Sequence, residues 1–284
     1  MLSRRFIYFS FFICLALKSF CTEPITISEN VDKKTERTYQ NLSYIPDKEP
    51  IFFCLSFPAK IPKEGLTCII VMAGLEQGQK NLEFIQEPRN YVLIGYEYPL
   101  ILRNKHRSLF DLYRIRKQTI HIPFDILDIS TWVLKQTWSN KQVSVAGFSF
   151  GAMFVPAIYH EAEKKDIPLG PGVIAYAGAD LYPILKINLP GNEFTKSLKA
   201  SIAAFLLKSL EPAKHLPYLH NDFLIINGKY DDYIPFEQAQ KLQELTPKPK
   251  TIINLETSHL SPTNKKQLRE INRICDRWFE DKLK

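Results

Sequence analysis

Residues 142–162 read Gln142-Val143-Ser144-Val145-Ala146, then Gly147-Phe148-Ser149-Phe150-Gly151, then Ala152-Met153-Phe154-Val155-Pro156-Ala157-Ile158-Tyr159-His160-Glu161-Ala162. The first block is short and rich in β-formers, which suits a buried strand. The last reads as a helix. Between them, Gly-x-Ser-x-Gly sets a serine on a sharp strand-to-helix turn, with its hydroxyl held out at the top of the sheet. The flanking glycines remove side chains that would clash where strand and helix cross. The helix N-terminus behind the serine offers free N–H groups and the positive end of a dipole, both suited to an oxyanion. By itself the pentapeptide also fits a loop serine beside two turn glycines, because both residue types are common. The chain downstream decides between the two.

A nucleophilic serine needs a base to take its proton, and the base needs an orienting acid. In the order Ser…Asp…His, both follow the serine and sit after later strands. Asp222-Phe223-Leu224-Ile225-Ile226-Asn227 is an apolar strand that runs into Gly228-Lys229-Tyr230-Asp231-Asp232-Tyr233-Ile234-Pro235. Thr251-Ile252-Ile253-Asn254-Leu255 is a second strand and leads to Glu256-Thr257-Ser258-His259-Leu260. Singly, an Asp-Asp turn is turn chemistry, and a loop histidine is a surface residue. Three such elements in the required order point to one catalytic set.

On these pieces the chain resembles the α/β-hydrolase superfamily: Gly147 to Gly151, then Gly228 to Pro235 (similar to the family's G-x-x-D-x-x-V-P), then Ser258-His259. The resemblance spans about residues 50–284. It implies Ser149 as nucleophile, His259 as base and Asp231 as acid, since the family pattern puts the acid third after the glycine. A minority of the superfamily carries the acid after the strand that follows this strand–serine turn–helix elbow, which keeps Asp180 open. The oxyanion hole needs two N–H donors aimed at the developing charge. One is expected from the backbone of Phe150. Aligned with the family's H-G-x, the other falls on Leu75 in Ala73-Gly74-Leu75-Glu76-Gln77-Gly78. Ala73 stands where the family commonly has His, and there is no Gly-Gly-Gly tract.

Around these motifs, strands and helices alternate. Residues 51–57 and 91–99 read as strands, and 66–73 is an unbroken apolar run typical of a central parallel strand. Residues 123–138 show helical spacing through Ile126, Ile129 and Val133. Residues 172–177 form the strand after the elbow helix, and 262–283 a long amphipathic helix. This predicts an α/β fold with a mostly parallel central sheet and helices on both faces. Residues 22–50 are polar and read as an N-terminal arm or edge strand before a domain at 51–284. Residues 181–219 exceed an ordinary connection. They read equally as a small helical lid insert or as one crossover helix with long flanks.

With 284 residues, one large core is expected. Met1-Leu2-Ser3-Arg4-Arg5 followed by the apolar run 6–17 reads as a signal peptide over 1–21, cut before Thr22. The run is short for a membrane span, and a retained anchor is the alternative. The expected location is therefore exported, periplasmic or secreted. Removing Arg4, Arg5 and Lys18 leaves +4 of the formal +7 charge, which mostly means solubility. Cys54, Cys68 and Cys275 allow one disulfide at most, with Cys54–Cys68 the candidate pair. Three buried thiols are the preferred reading. No metal spacing is present and no cofactor is expected: the histidines are scattered and there is no Cys-x-x-Cys. The basic residues Arg103, Lys105, Arg107, Arg114, Arg116 and Lys117 read as a solvated face, without a nucleic-acid motif. His106, His121, His160, His215 and His220 read as surface or satisfied residues. Phe148, Phe150, Met153 and Phe154 could line an acyl pocket or belong to the core.

The expected activity is that of an exported serine hydrolase acting on a small-molecule acyl substrate, an ester or thioester. A small-peptide exopeptidase and a non-catalytic hydrolase-like binding protein are the alternatives. Membrane contact is expected only through an uncleaved signal or a lipid substrate, and no motif bears on oligomeric state.

Overall fold

The computed structural model describes residues 23–283, apart from 34, 47–48, 86–89 and 104–108. The proposed signal segment 1–21 and His106 therefore lie outside the described residues. The chain begins with β1 (Ile25–Asp32), β2 (Arg37–Tyr44), β3 (Ile51–Pro58) and β4 (Leu66–Met72), then a 3-10 segment Gly78–Phe84 and β5 (Val92–Tyr96). Next come α1 (Leu109–Lys135), β6 (Ser139–Phe148), α2 (Val155–Lys164) and β7 (Gly172–Ala175). The connection to β8 (Phe223–Gly228) holds α3 (Leu181–Asn188), α4 (Glu193–Leu206) and α5 (Pro212–His215). The chain continues through α6 (Phe236–Leu245), β9 (Lys250–Leu255) and α7 (Lys265–Lys282).

These strands form one sheet in the order β1-β2-β3-β5-β4-β6-β7-β8-β9. From β5 onward every neighbour is parallel, while β1, β2 and β3 add on as an antiparallel edge. Alternation along each strand feeds two cores. Cys68, Ile70 and Met72 face α1 and α2 on one side, while Ile69 and Val71 face α7 on the other. That two-sided burial explains why β4 reads as an unbroken apolar run.

Three elements depart from the sequence reading. Residues 22–50 hold a two-stranded hairpin, not a single arm or edge strand. Its outer strand leaves Ile25, Ile27 and Val31 exposed, so neither face of β1 carries a core pattern. Helix α1 starts before residue 123 and runs through Pro123. A proline fits a first helical turn so well that it reads as a start. Residues 181–219 hold several helices. The apolar run in α4 buries only Ala200 and turns Phe194, Leu198, Ile202 and Phe205 outward.

The three described cysteines are buried free thiols, and no disulfide joins Cys54 to Cys68. Burial pushes the Cys54 thiol up to about 11 and Cys275 up to about 12, and raises Cys68 further still. Only thiolates react readily. A thiol reagent at pH 8 should therefore leave all three unmodified in the folded protein and modify them after denaturation, as read by peptide mass spectrometry. Labelling of Cys68 in the folded chain would contradict this packing.

Candidate active site

Strand β6 lies between β4 and β7 and ends at the serine. Ser149 takes φ 54°, the left-handed region, which costs a non-glycine residue roughly 1–2 kcal/mol. The turn holds because its neighbours leave no alternative. A Cβ on Gly147 would sit 2.6 Å from Ala152 Cα, and one on Gly151 would sit 2.5 Å from the Met72 carbonyl carbon. Both contacts are with backbone, so they cannot be relieved by a rotamer change. Gly151→Ala should accordingly cost about 1–3 kcal/mol and displace the serine, lowering melting temperature and turnover together. A variant as stable and active as the parent would show that the crossing is looser than this geometry.

The loops after β8 and β9 bring the other two residues to Ser149. Ser149 Oγ lies 2.6 Å from His259 Nε2, and His259 Nδ1 lies 2.7 Å from Asp231 Oδ2. The second carboxylate oxygen, Oδ1, accepts from the backbone N–H of Tyr233 and of Ile234, each at 2.8 Å. The Asp231 side chain is 2 % exposed and that of His259 13 %. An ionised Asp231 so placed demands a proton on Nδ1, which leaves the Nε2 lone pair facing the serine hydroxyl.

The neighbouring acids lie elsewhere. Asp232 is exposed, and the brace across the turn comes from Asp231 itself. Asp180 pairs with Lys241 at 3.2 Å on the surface, away from His259. The remaining described histidines have other partners. His121 bonds Asp125, His220 faces Glu163, and His160 shares a 3.0 Å bond with His215, which also bonds the Ser209 carbonyl. In the basic stretch, Arg103 pairs with Glu97, Arg116 donates to the Leu206 carbonyl and Lys117 pairs with Glu49. Residues 104–107 lie outside the described residues.

Several contributors escaped the sequence reading. The Tyr176 ring stands edge-on to His259 at 5.6 Å, and Tyr233 packs on it at 4.8 Å. Tyr176 OH is held by Gln267 Nε2 at 2.9 Å and pairs with Thr257 Oγ1 at 3.1 Å. Gln267 also donates to the Ser258 carbonyl. Burial raises the Tyr176 phenol above its ordinary value, so it remains neutral beside the imidazole. In the sequence, Tyr176 is one more strand residue and Gln267 one more polar helix residue.

The loop holding Leu75 is fixed despite Ala73. The Ala73 carbonyl accepts from Gly151 N at 3.1 Å and from Tyr98 OH at 2.7 Å. Burial keeps the Tyr98 phenol far above its ordinary range, hence a donor. The Gly74 carbonyl accepts from Gln77 N and Gly78 N. Carbonyl and N–H of one trans peptide point in opposite directions. The Leu75 N–H therefore faces away from the turn, and it has no acceptor among the described residues. Arg103 Nε then takes the Leu75 carbonyl at 2.7 Å while its guanidinium pairs with Glu97. Phe150 opens the 3-10 turn Ser149–Met153, whose first N–H groups have no helical acceptor. Its ring packs inward on Tyr98 and Phe154, so Phe150 and Phe154 belong to the core.

A pocket of about 340 Å³ opens beside Ser149 and His259, with Leu75, Phe84, Ile85, Phe148, Tyr233 and Leu260 in its wall. No residue of 181–219 lines it among the described residues. No group of three or more His, Cys, Asp or Glu able to hold a metal occurs among the described residues, and no described helix is long and apolar enough to cross a membrane.

Comparison with known proteins agrees with this architecture. A family model described as serine hydrolase (FSH1) matches residues 56–271. No curated protein matches the chain. Among solved structures, acetyl xylan esterase 1 from Thermoanaerobacterium sp. JW/SL YS485 is similar at a TM-score of 0.63 and 13 % identity, covering 88 % of this chain and 86 % of that one. Est1E from Butyrivibrio proteoclasticus gives 0.62 at 13 % identity, with 86 % and 98 % covered. The esterase PF2001 of Pyrococcus furiosus gives 0.60 at 13 % identity, with 92 % and 97 % covered. At such identities the likeness is one of fold.

Proposed function

This chain belongs to the FSH1 serine hydrolase family and has the α/β-hydrolase fold, and from that premise we propose that it hydrolyses carboxylic esters through Ser149, His259 and Asp231. The observation that carries this reading is the unbroken chain of short hydrogen bonds from Asp231 through His259 to Ser149, opening onto a mainly apolar pocket.

Each step follows from an atom already placed. Ser149 Oγ attacks the ester carbonyl carbon as its proton passes to His259 Nε2. The carbonyl oxygen becomes an oxyanion, and the N–H groups of Phe150 and Leu75 are its donors. Preorganised donors of this kind stabilise the developing charge by about 3–4 kcal/mol each. Asp231 holds the tautomer and offsets the imidazolium charge. The imidazolium then gives its proton to the departing alkoxide as the C–O bond breaks, leaving an acyl-Ser149. Water attacks that acyl group while Nε2 takes its proton. Collapse of the second tetrahedral species returns the proton to Ser149 and frees the acid.

The apolar wall of Phe84, Ile85, Phe148 and Leu260 favours an ester over a peptide at the reacting carbonyl, since a peptide would bring more polar groups to be desolvated there. A thioester fits the same chemistry. The test sets p-nitrophenyl esters of increasing chain length beside aminoacyl anilides, with a fluorophosphonate probe for Ser149. Labelling of Ser149 with ester turnover supports the proposal. Anilide cleavage in preference to esters would replace it with the peptidase reading, and an unlabelled Ser149 would make the protein a binding module.

Export is part of the proposal and is supported by Arg4-Arg5 followed by the short apolar run 6–17. N-terminal sequencing of the mature protein should start near Thr22. An intact Met1 on soluble protein would overturn it.

A further inference from the structure

A second cleft, of about 740 Å³, lies between α7 and the sheet face formed by β4, β5 and β6. Its floor is apolar: Ile69 and Leu93 from the sheet, Cys275 and Phe279 from the helix. It adjoins the Ser149 pocket, since Val71, Ile85, Phe148 and Asn272 line both spaces. At that junction Asn272 Nδ2 donates to the Phe84 carbonyl at 2.8 Å and ties α7 to the 3-10 segment.

The rim has a different chemistry. Lys266, Arg269, Arg273 and Arg277 line the cleft at helical spacing along α7. No ion pair among the described residues engages any of the four. Two acids, Glu270 and Asp276, line it as well, so among the described residues cations outnumber acids two to one. An apolar trough that adjoins the Ser149 pocket and is rimmed by guanidinium groups matches a chain of the opposite polarity: hydrocarbon first, anion last. Guanidinium takes a carboxylate through two parallel hydrogen bonds, which a neutral chain end cannot offer.

We infer that this cleft is the distal subsite for the acyl chain of the substrate, and that it selects acyl groups carrying a terminal carboxylate or similar anion. The inference rests on the ester-hydrolase reading of Ser149, with the acyl chain passing Phe148 and Ile85 to reach Arg269 and Arg273.

The experiment separates the two readings. In the first arm, Ser149→Ala protein, which cannot turn over, is titrated calorimetrically with the monomethyl ester of an eight-carbon dicarboxylic acid and with methyl octanoate. The charged ligand is expected to bind about tenfold more tightly at low salt, with the margin shrinking as salt rises. The margin should vanish in Arg269→Ala/Arg273→Ala protein, with the melting temperature unchanged because both side chains are exposed. In the second arm, the wild-type chain hydrolyses the matching p-nitrophenyl esters. Its selectivity for the ω-carboxyl ester should fall about tenfold in the double variant, through KM and not kcat. Equal binding of charged and neutral ligands, or a margin that survives loss of both arginines, would overturn the inference. A binding margin without hydrolysis of either ester would instead sink the catalytic reading and leave the subsite standing.

Discussion

Ser149→Ala is expected to lower kcat by a factor on the order of 10⁶ while the protein stays folded. The hydroxyl is the only atom lost, and its partner His259 Nε2 lies in a site that keeps some solvent contact. The stability change should therefore stay within about 1 kcal/mol, the net worth of one ordinary hydrogen bond. Alanine tolerates the left-handed backbone at 149 no worse than serine does, since both carry a single Cβ. The loss is large because the three residues act as one unit. Without a nucleophile, the His259–Asp231 pair has nothing to activate. A residual rate above that of water is expected from binding and the oxyanion donors. Ester turnover measured alongside a thermal melt decides the matter. A folded variant that hydrolyses esters at the parent rate would remove Ser149 from the mechanism.

Asp231→Asn should reduce kcat by roughly 10⁴. The carboxylate serves two ends at once, with Oδ2 on His259 Nδ1 and Oδ1 on the Tyr233 and Ile234 amides. An amide has one acceptor oxygen and cannot satisfy both. If that oxygen stays on the backbone, an NH₂ group confronts the Nδ1–H, and the imidazole shifts its proton to Nε2. The serine then faces a donor instead of a base. If the oxygen turns to His259, two buried backbone N–H groups lose their acceptor, a penalty of about 1–3 kcal/mol. Activity or stability must fall, and matched melts tell which. Asp232→Asn should keep most turnover, since that side chain is exposed. Asp180→Asn gives up only a surface pair with Lys241, worth about 0–1 kcal/mol. An active Asp231→Asn beside an inactive Asp180→Asn would move the acid to the earlier strand.

The parts of the site that were legible in the sequence are those held by local order. The β6–Ser149–α2 unit shows itself because strand, turn and helix are contiguous and the glycines are required by contacts within that unit and with β4. His259 and the acidic turn follow from chain order, yet the choice of Asp231 over Asp232 needed a family pattern. The residues that brace the site left no local mark. Gln267 reaches Tyr176 across 91 positions, and Arg103 reaches the Leu75 carbonyl across 28. Such contacts exist only once the sheet is assembled. The same holds for strand order: nothing local says that β5 inserts between β3 and β4. The β1–β2 hairpin was missed because its outer strand has no buried face to impose an alternating pattern.

The arrangement of the strands also governs when the protein can act during its own synthesis. Ser149 and His259 are separated by 110 positions, and β7, α3 to α6, β8 and β9 must all be made before the imidazole exists. A nascent chain that has completed β6 carries the serine with no base to activate it, and a domain built on one sheet generally folds as a unit. Asp231, which arrives earlier than its histidine, already has the Tyr233 and Ile234 amides to bind. Under the proposed mechanism the serine therefore has no base until the loop after β9 is made, and the Gln267 that braces that loop through the Ser258 carbonyl follows later still, on α7.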